Sequence, residues 1–217
     1  MLKEANCIMI AIGIESGDEE VRTKVLQRRM KDQRIIEAFE IVQKHGIAVS
    51  SFNMVGIPGE TKGLFQKTIS LNARIKPDIV QQTIFYPYRG TGLGELAYRE
   101  GYVVREGYPT YLGRGTLSLP GFSLQEIERT ALFFEYNVYK HIDRKRAIRG
   151  LARAMARRYP RFCNGAKKVL TMLNIRHYGW RYSKGVSVMG SDSKISTRPT
   201  AGVSEGIVQG VCHASGT

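Results

Sequence analysis

The sequence has 217 residues, of which 42% are hydrophobic and 24% are charged, a composition typical of a globular chain that can bury a core. It has no apolar run of about 18 residues or more, which excludes a transmembrane helix, and its start does not resemble a signal peptide. Three widely spaced cysteines, Cys7, Cys163 and Cys212, exclude a disulfide framework or a cysteine zinc cluster, so a reducing cytoplasm is the expected location.

The net charge of +14 is concentrated in one segment. Residues 1–139 carry 17 basic and 16 acidic residues, whereas residues 140–184 carry 14 basic residues and one acidic residue. Arg149, Arg153 and Arg157 share one face of a predicted helix there. This helix could dock with a solvated basic face, meet an acidic surface on a missing domain, meet an anionic membrane surface or, as the least favoured alternative, bind nucleic acid. Its predicted apolar face consists of Ile148, Leu151, Ala152, Met155 and Tyr159.

The first hundred residues alternate between predicted strands and predicted helices. Short apolar runs predict the strands, and the stretches between them have the 3- and 4-residue apolar spacing of amphipathic helices. Because successive strands start 40 and 32 residues apart, the size of βαβ units, we expect an α/β fold with a parallel sheet or part of a barrel. The predicted strands cover residues 7–14, 47–55 and 79–86, and the helices follow Asp18, cover residues 32–45 and 60–74, and end before Gly101.

The rest of the chain divides into three segments: a loop or lid at 101–122, a basic helical extension at 123–184 and a disordered tail at 185–217. Ser123 and Glu126 have the spacing of a capping box, which predicts a helix start. Predicted helices in the extension run from Ser123 to Tyr139 and cover residues 143–158 and 163–174.

Each predicted strand is followed by a turn that contains glycine and a polar or charged side chain. Since ligands of parallel α/β proteins bind at the carboxyl ends of the strands, the three turns together predict one binding site. Glu15 could accept hydrogen bonds from the paired hydroxyls of a ribose. Each turn alone is also explained as an ordinary connection between a strand and a helix. The turns are Gly13-Ile14-Glu15-Ser16-Gly17, Gly56-Ile57-Pro58-Gly59-Glu60-Thr61 and Tyr86-Pro87-Tyr88-Arg89-Gly90-Thr91.

These turns and their flanks closely resemble the carboxyl-terminal half of radical S-adenosylmethionine (radical SAM) enzymes, and among them the subgroup with an amino-terminal cobalamin-binding domain. The resemblance covers about residues 2–100. It implies the carboxyl-terminal half of a partial (β/α)6 TIM-type barrel, and a full-length enzyme that uses S-adenosylmethionine, a 4Fe–4S cluster and cobalamin on a small-molecule substrate. The matching runs are AIGIESGDEEVR (11–22), VLQRR (25–29), FNMVGIPGET (52–61) and IFYPYRGT (84–91).

The resemblance also implies roles for individual residues. Glu15 with Ser16 corresponds to the contact with the ribose or methionyl part of S-adenosylmethionine, and Arg28, or its neighbour Arg29, to a partner of the methionyl carboxylate. The second turn corresponds to the lining of the adenine, and the end of the third strand to backbone contacts with it. No catalytic residue or metal ligand is assigned. The implied cofactor-binding residues are Glu15, Ser16, Arg28, Gly56, Pro58, Glu60, Tyr86, Pro87 and Tyr88.

One departure from the family is large: the sequence contains no Cys-x3-Cys-x2-Cys motif, which in the family holds the cluster that cleaves S-adenosylmethionine to a 5′-deoxyadenosyl radical. Cys7 lies in an apolar run and is predicted to be a core residue. We therefore expect a fragment, an internal start or a half that needs a missing amino-terminal half-barrel and cobalamin domain. Such a chain would be inactive alone, although its parent would catalyse methyl transfer, radical rearrangement or cyclisation.

The alternative hypothesis comes from the basic segment at 140–184. A non-catalytic basic helical module would bind a membrane surface or another polyanion, which implies a cytoplasmic protein peripheral to the membrane. Charge-driven binding of this kind would weaken steeply with salt.

Overall fold

Three parallel strands with helices between them form the first hundred residues of the computed structural model, which describes residues 2, 4–107 and 114–158. The chain divides into two compact units, and the contacts discussed below lie within the first, whose described residues run to 154. The strands are β1 (Met9–Glu15), β2 (Ala48–Val55) and β3 (Ile79–Ile84); a π-helix covers Val21–Val25, and the α-helices are α1 (Asp32–Lys44), α2 (Lys62–Ile75), α3 (Gly92–Arg99), α4 (Leu124–Leu132), α5 (Phe134–Tyr139) and α6 (Arg144–Arg158).

The sheet has the strand order β1-β2-β3, and both pairs are parallel. Met9 lies opposite Ala48, and Ser50 lies opposite Ile79. Each helical crossover therefore leads to the next strand of the sheet, as expected for consecutive βαβ units. The predicted α/β class is confirmed, and the strand boundaries differ from the predicted ones by two residues or fewer.

Two clusters of buried apolar side chains lie between the sheet and its helices. In the first, Val49 of β2 packs with Phe39 of α1 and Leu71 of α2. In the second, Val55 packs with residues of α2, α4 and α5, among them Phe134. Alternate residues of β2 therefore point towards the helices, as the period of two requires.

A buried polar network lies on the same side of β2, between the two clusters. Ser51 Oγ donates to Asn72 Oδ1 at 2.6 Å, and Asn72 Nδ2 donates to Asn53 Oδ1 at 2.7 Å and to the Thr68 carbonyl at 2.8 Å. Thr68 Oγ1 accepts from the Gly17 N–H at 2.7 Å. The network therefore joins the turn after β1 to β2 and α2, and a satisfied buried network of this kind fixes relative position.

The face of the sheet opposite α1 and α2 carries two exposed large apolar side chains. Phe52 is 39% exposed and Ile79 is 38% exposed. Both lie on one face, since Ser50, two residues before Phe52, is the register partner of Ile79.

The predicted capping box at the start of α4 is confirmed. Ser123 Oγ accepts from the Glu126 N–H at 3.4 Å, and Glu126 Oε2 accepts from the Ser123 N–H at 3.1 Å. The single helix predicted to reach Tyr139 is interrupted at Phe133, where α4 ends and α5 begins.

Replacing Ser123 with alanine should lower the free energy of unfolding by about 1 kcal/mol, because the N–H of Glu126 loses its acceptor. Urea denaturation measures the change. Ser70→Ala in the exposed part of α2 is the matched control, since the Ser70 hydroxyl donates only to the Gln66 carbonyl, and it should change stability by less than about 0.5 kcal/mol. Equal effects of the two substitutions would contradict the capping role.

The described residues of segment 101–122 contribute to the core, which a surface loop or lid would not do. Leu117, Leu119 and Phe122 are 5% exposed or less. Leu119 and Phe122 exchange two backbone hydrogen bonds of 3.0 Å across a tight turn, and Gly121 has a φ of 73° there. The Pro-Gly pair at the turn is the sequence signal for this hairpin. Residues 108–113, with Tyr108 and Tyr111, lie outside the described residues.

Helix α6 confirms the helix predicted at 143–158, but the buried face differs from the predicted apolar face. Ala147 and Ala154 are buried, whereas Ile148 is 51% exposed. A Cβ on Gly150 would lie 2.9 Å from Glu135 Cγ, so small residues allow a close approach to α5. Arg153, on the predicted basic face, forms an ion pair with Glu135, with 3.0 Å between Nε and Oε2.

Other predictions for the carboxyl-terminal part fall outside the described residues. These are the helix at 163–174 and the tail at 185–217. Among the residues that are described, no helix combines the length and the hydropathy needed to cross a membrane.

Candidate functional site

The carboxyl end of β1 has an unusual backbone. Glu15 has a φ of 64°, a left-handed conformation that is uncommon for any residue other than glycine. The pairing of β1 with β2 shifts register between Gly13 and Glu15. Such irregularities change the direction of a side chain at the end of a strand.

The Glu15 side chain forms an ion pair with Arg28. Glu15 Oε1 accepts from Arg28 Nη1 at 2.9 Å. A Cβ at position 13 would lie 2.6 Å from Glu15 Oε1 and 3.2 Å from Arg28 Nη1. A side chain at this position would therefore require the ends of the Glu15 and Arg28 side chains to shift. The structure brings Arg28, rather than its neighbour Arg29, to the carboxylate.

Burial and the ion pair act on Glu15 in opposite directions. Desolvation raises the pKa of Glu15 above its ordinary value, and the guanidinium of Arg28 offsets part of that rise. The Glu15 side chain is 21% exposed and that of Arg28 is 37% exposed, so the pair can meet a ligand from solvent. A carboxylate beside a guanidinium can bind hydroxyl groups and the carboxylate of an amino acid at the same place.

Replacing Arg28 with methionine should raise the pKa of Glu15 further, since the favourable interaction with the carboxylate form is removed while burial remains. Carboxyl ¹³C chemical shifts followed through a pH titration measure this change. Arg29→Met is the matched control and should leave the titration of Glu15 where it is. A Glu15 that titrates alike in the Arg28 variant and in the unmodified chain would contradict the pairing.

Hydrogen bonds of the Ser16 and Asp18 side chains hold the rest of the first turn. Ser16 is fully buried, and its Oγ accepts from the Asp18 N–H at 3.2 Å. Asp18 Oδ1 accepts from the Val21 N–H at 2.9 Å, which confirms the predicted cap, and Asp18 Oδ2 lies 2.7 Å from Lys67 Nζ on α2. The Ser16 hydroxyl therefore shapes the turn that presents Glu15.

The second turn is closed by its own carboxyl group. Gly56, with a φ of 80°, donates its N–H to Glu60 Oε2 at 2.8 Å, and the Glu60 N–H donates to the Ile57 carbonyl at 2.8 Å. Glu60 is 1% exposed, and its Oε1 has no hydrogen-bond partner among the described residues. Desolvation raises the pKa of Glu60 to about 8, against the opposing effect of the Gly56 and Ile57 amides. Pro58 is buried in the same turn.

The third turn opens onto a cavity of about 580 Å³. Tyr86 and Pro87 line it together with two basic residues, Arg89 and Arg105. The Tyr86 hydroxyl donates to the Gly107 carbonyl at 2.6 Å. No residue of the first two turns lines this cavity. The rings of Tyr86 and the 54% exposed Tyr88 are 4.9 Å apart.

The three turns follow adjacent strands at one end of the sheet, because Glu15 is the register partner of Asn53 and Val55 that of Ile84. Of the predicted site residues, the structure brings Glu15 and Arg28 into direct contact and links Gly56 to Glu60. Within residues 2, 4–107 and 114–158, no three side chains could together hold a metal ion, and Cys7 is buried and free.

Sequence reasoning missed one residue at this end of the sheet. The Arg22 side chain is fully buried behind the first turn. An arginine four residues after Asp18 reads as part of a solvated helix face, so no local pattern indicates its burial. The π-helix that carries it, Val21–Val25, was not predicted either.

Comparison with known proteins finds a match to one family model in the first part of the chain. Residues 1–71 match the family model of the Radical SAM superfamily. This match confirms the resemblance at the level of the superfamily.

Three curated relatives are named for methyl or methylthio transfer. An uncharacterized methyltransferase of Pyrococcus horikoshii is 29% identical over 167 residues, which are 70% of this chain and 36% of the relative. Probable threonylcarbamoyladenosine tRNA methylthiotransferases of Pyrococcus horikoshii and Pyrococcus abyssi are 32% and 30% identical over 99 and 98 residues, in each case 43% of this chain and 22% of the relative. The chain thus spans about a third or less of the length of these relatives.

Proposed function

We propose that this chain is the carboxyl-terminal part of the catalytic domain of a radical SAM enzyme and that its first turn binds S-adenosylmethionine. The observation that carries the proposal is the Glu15–Arg28 ion pair, held at the carboxyl end of β1 inside the segment that matches the superfamily. Glu15 would accept hydrogen bonds from the ribose hydroxyls or the methionyl amine, and Arg28 would bind the methionyl carboxylate. In the family, bound S-adenosylmethionine supplies the radical chemistry.

The described residues do not fit the 4Fe–4S cluster that the family also uses. Within the part of the chain that the structure describes, no three metal-binding groups come together. The sequence itself contains three cysteines, and their positions do not form the family motif. We therefore propose that the cluster is held by polypeptide outside this sequence, and we assign it no step here.

The sheet supports the same division. Three adjacent parallel strands would make up half of a (β/α)6 barrel, in which one face of each strand meets the helices and the other lines the interior. Phe52 and Ile79 lie on the face opposite α1 and α2 and are more than a third exposed. We propose that the other half of the barrel covers these side chains.

The reaction that the relatives favour is methyl transfer. The relative with the longest matching segment of the three is named a methyltransferase, and the other two are named methylthiotransferases. Radical rearrangement and cyclisation, which the family also catalyses, have no such support here. None of these relatives is named for cobalamin, and cobalamin is not part of the proposal.

Equilibrium dialysis with labelled S-adenosylmethionine tests the binding site. Glu15→Gln should weaken binding about tenfold, the equivalent of about 1.4 kcal/mol in lost hydrogen bonding to the carboxylate. Glu20→Gln, five residues further along the chain, is the matched control, because its carboxylate is exposed and pairs with Lys24, and it should bind like the unmodified chain. Equal binding by the Glu15 variant would contradict the assigned role.

Iron and sulfide analysis after anaerobic reconstitution tests the absence of the cluster. The chain alone should retain less than one cluster per molecule and lack the visible absorption of a 4Fe–4S centre. A normal cluster yield would show that this chain supplies the ligands itself and would contradict the proposed division.

A further inference from the structure

Arg22 is the largest fully buried side chain in the described part of the chain, with an exposure of 0%. Burying a guanidinium is unfavourable unless its donors are satisfied by well-placed acceptors. Neither the sequence motifs nor the proposed function gives this residue a role. Its contacts do.

The guanidinium of Arg22 joins two segments that are separate in the sequence. Nη1 donates to the Ser16 carbonyl at 2.6 Å, which lies in the turn next to Glu15. Nε donates to the Met30 carbonyl at 3.0 Å, and Nη2 pairs with the carboxylate of Asp32. The donors of a guanidinium have fixed directions in one plane, so these bonds set the position of the loop 26–32 relative to the first turn.

The backbone of Arg22 holds Arg28 directly. The Arg22 carbonyl accepts from the Arg28 N–H at 2.7 Å, and the Arg28 carbonyl accepts from the Met30 N–H at 2.9 Å. Arg22 therefore holds Arg28 in two ways. Its carbonyl accepts the Arg28 N–H, and its side chain binds the carbonyl of Met30, the residue that donates to the Arg28 carbonyl.

The local backbone conformation is unusual on both sides of these bonds. Arg22 lies in the π-helix Val21–Val25, and Gln27, just before Arg28, has a φ of 54°. Conformations of this kind persist only where surrounding contacts over-determine them, and π-helical turns are frequent at functional sites.

We propose that Arg22 is a positioning residue that holds Arg28 against Glu15. Its side chain fixes the two segments that carry the ion pair, and its carbonyl fixes the backbone of Arg28. The consequence for S-adenosylmethionine rests on the proposed function, whereas the positioning of the ion pair does not.

A residue that only filled space would stabilise the fold without affecting the ionisation of Glu15. A positioning residue makes a different prediction. The proximity of Arg28 lowers the pKa of Glu15 against the opposing effect of burial, so any displacement of Arg28 should allow that pKa to rise. The titration of Glu15 therefore reports the position of Arg28 in the absence of any ligand.

The test is a carboxyl ¹³C titration of Glu15 in the full chain carrying Arg22→Lys. Lysine keeps the positive charge but lacks the planar set of donors that reaches Ser16, Met30 and Asp32. We expect the pKa of Glu15 to rise by at least half of the rise that Arg28→Met produces. Lys67→Met is the matched control, because it breaks the ion pair with Asp18 on the same turn without touching loop 26–32, and it should leave the pKa of Glu15 unchanged.

The double variant Arg22→Lys/Arg28→Met separates positioning from a direct electrostatic effect. If Arg22 acts through Arg28, the pKa of Glu15 should be the same in the double variant as in Arg28→Met alone, since coupled residues do not contribute additively. A further rise in the double variant would overturn the proposal. So would a folded Arg22→Lys chain in which Glu15 titrates as in the unmodified chain.

Asp32→Asn provides a second route if Arg22→Lys does not fold, as judged by circular dichroism. This substitution weakens the ion pair between the Arg22 guanidinium and Asp32, whose side chain is 41% exposed. It should raise the pKa of Glu15 by less than Arg22→Lys does. An unchanged pKa in this folded variant would overturn the proposal. Failure of the chain to bind S-adenosylmethionine would contradict the proposed function and leave these titrations unaffected.

Discussion

Replacing Glu60 with glutamine should remove a loss of stability that we expect of the unmodified chain between pH 5 and pH 9. The pKa of Glu60 is raised from its ordinary value of 4.5 to about 8 because the carboxyl group is buried in the turn after β2. Between these two values the folded chain keeps a proton that the unfolded chain has released. Unfolding is therefore favoured as pH rises from about 4.5, and the loss is complete above about pH 8.

The size of the effect follows from the difference between the two pKa values. One pKa unit corresponds to about 1.4 kcal/mol, so Glu60 lowers the free energy of unfolding at pH 9 by on the order of 5 kcal/mol relative to pH 4. Glutamine resembles the protonated acid and can still accept the Gly56 N–H through its amide oxygen. At pH 5 the variant should be equal to the unmodified chain or less stable by about 1 kcal/mol, since its amide N–H groups enter a buried site.

Urea denaturation at pH 5, 7 and 9 tests this prediction. The free energy of unfolding of Glu60→Gln, relative to that of the unmodified chain, should increase from pH 5 to pH 7 and again from pH 7 to pH 9. Glu20→Gln, with an exposed carboxylate, is the control and should follow the pH dependence of the unmodified chain. A Glu60 variant that also stays parallel to the unmodified chain would show that this buried carboxyl group ionises normally.

Replacing Gly17 with alanine should destabilise the fold by about 3 kcal/mol or more. A Cβ at Gly17 would lie 2.4 Å from the Lys67 carbonyl oxygen and equally close to the backbone nitrogen and Cα of Thr68. These are backbone atoms of α2, which cannot rotate away as the end of a side chain can, so the turn and the helix must separate. Separation also stretches the 2.7 Å hydrogen bond from the Gly17 N–H to Thr68 Oγ1.

Gly63→Ala is the matched control for this substitution. Gly63 lies in the exposed first part of α2, and the nearest atom to an added Cβ is Thr61 Oγ1 at 3.8 Å. Alanine is the better helix former, so this variant should gain about 0.5–1 kcal/mol. Denaturation midpoints compare the two variants. Similar midpoints would contradict the close packing of the first turn on α2.

Local sequence patterns predicted most of the secondary structure. The three apolar runs are strands, the capping box of Ser123 and Glu126 is formed, and Asp18 caps the turn after β1. These features depend on residues within a few positions of one another, where turn chemistry and periodicity act. The same patterns placed Glu15 at the end of a strand, whereas only the resemblance to radical SAM enzymes indicated Arg28, or its neighbour Arg29, as a binding residue.

Contacts between distant residues could not be predicted in this way. The buried polar network connects Gly17 to Thr68, which is 51 residues further along the chain, and connects Asn72 to Ser51 of β2. The local sequence around each of these residues gives no sign that the residue is buried. The exposure of Ile148 shows the same limitation. Helical periodicity defines an apolar stripe, but the close approach of α6 to α5 selects the small residues Ala147 and Gly150 instead.

The sequence by itself determined the α/β class, the three successive strands along the chain and the three turns at their carboxyl ends, because hydrophobic period and turn residues act locally. Tertiary structure alone decided which charged groups meet. It paired Glu15 with Arg28, buried Arg22 behind them and closed the turn after β2 around Glu60. The physical reason is that the cost of burying a charge depends on every acceptor and donor brought to it, and those come from segments that only the folded chain places side by side.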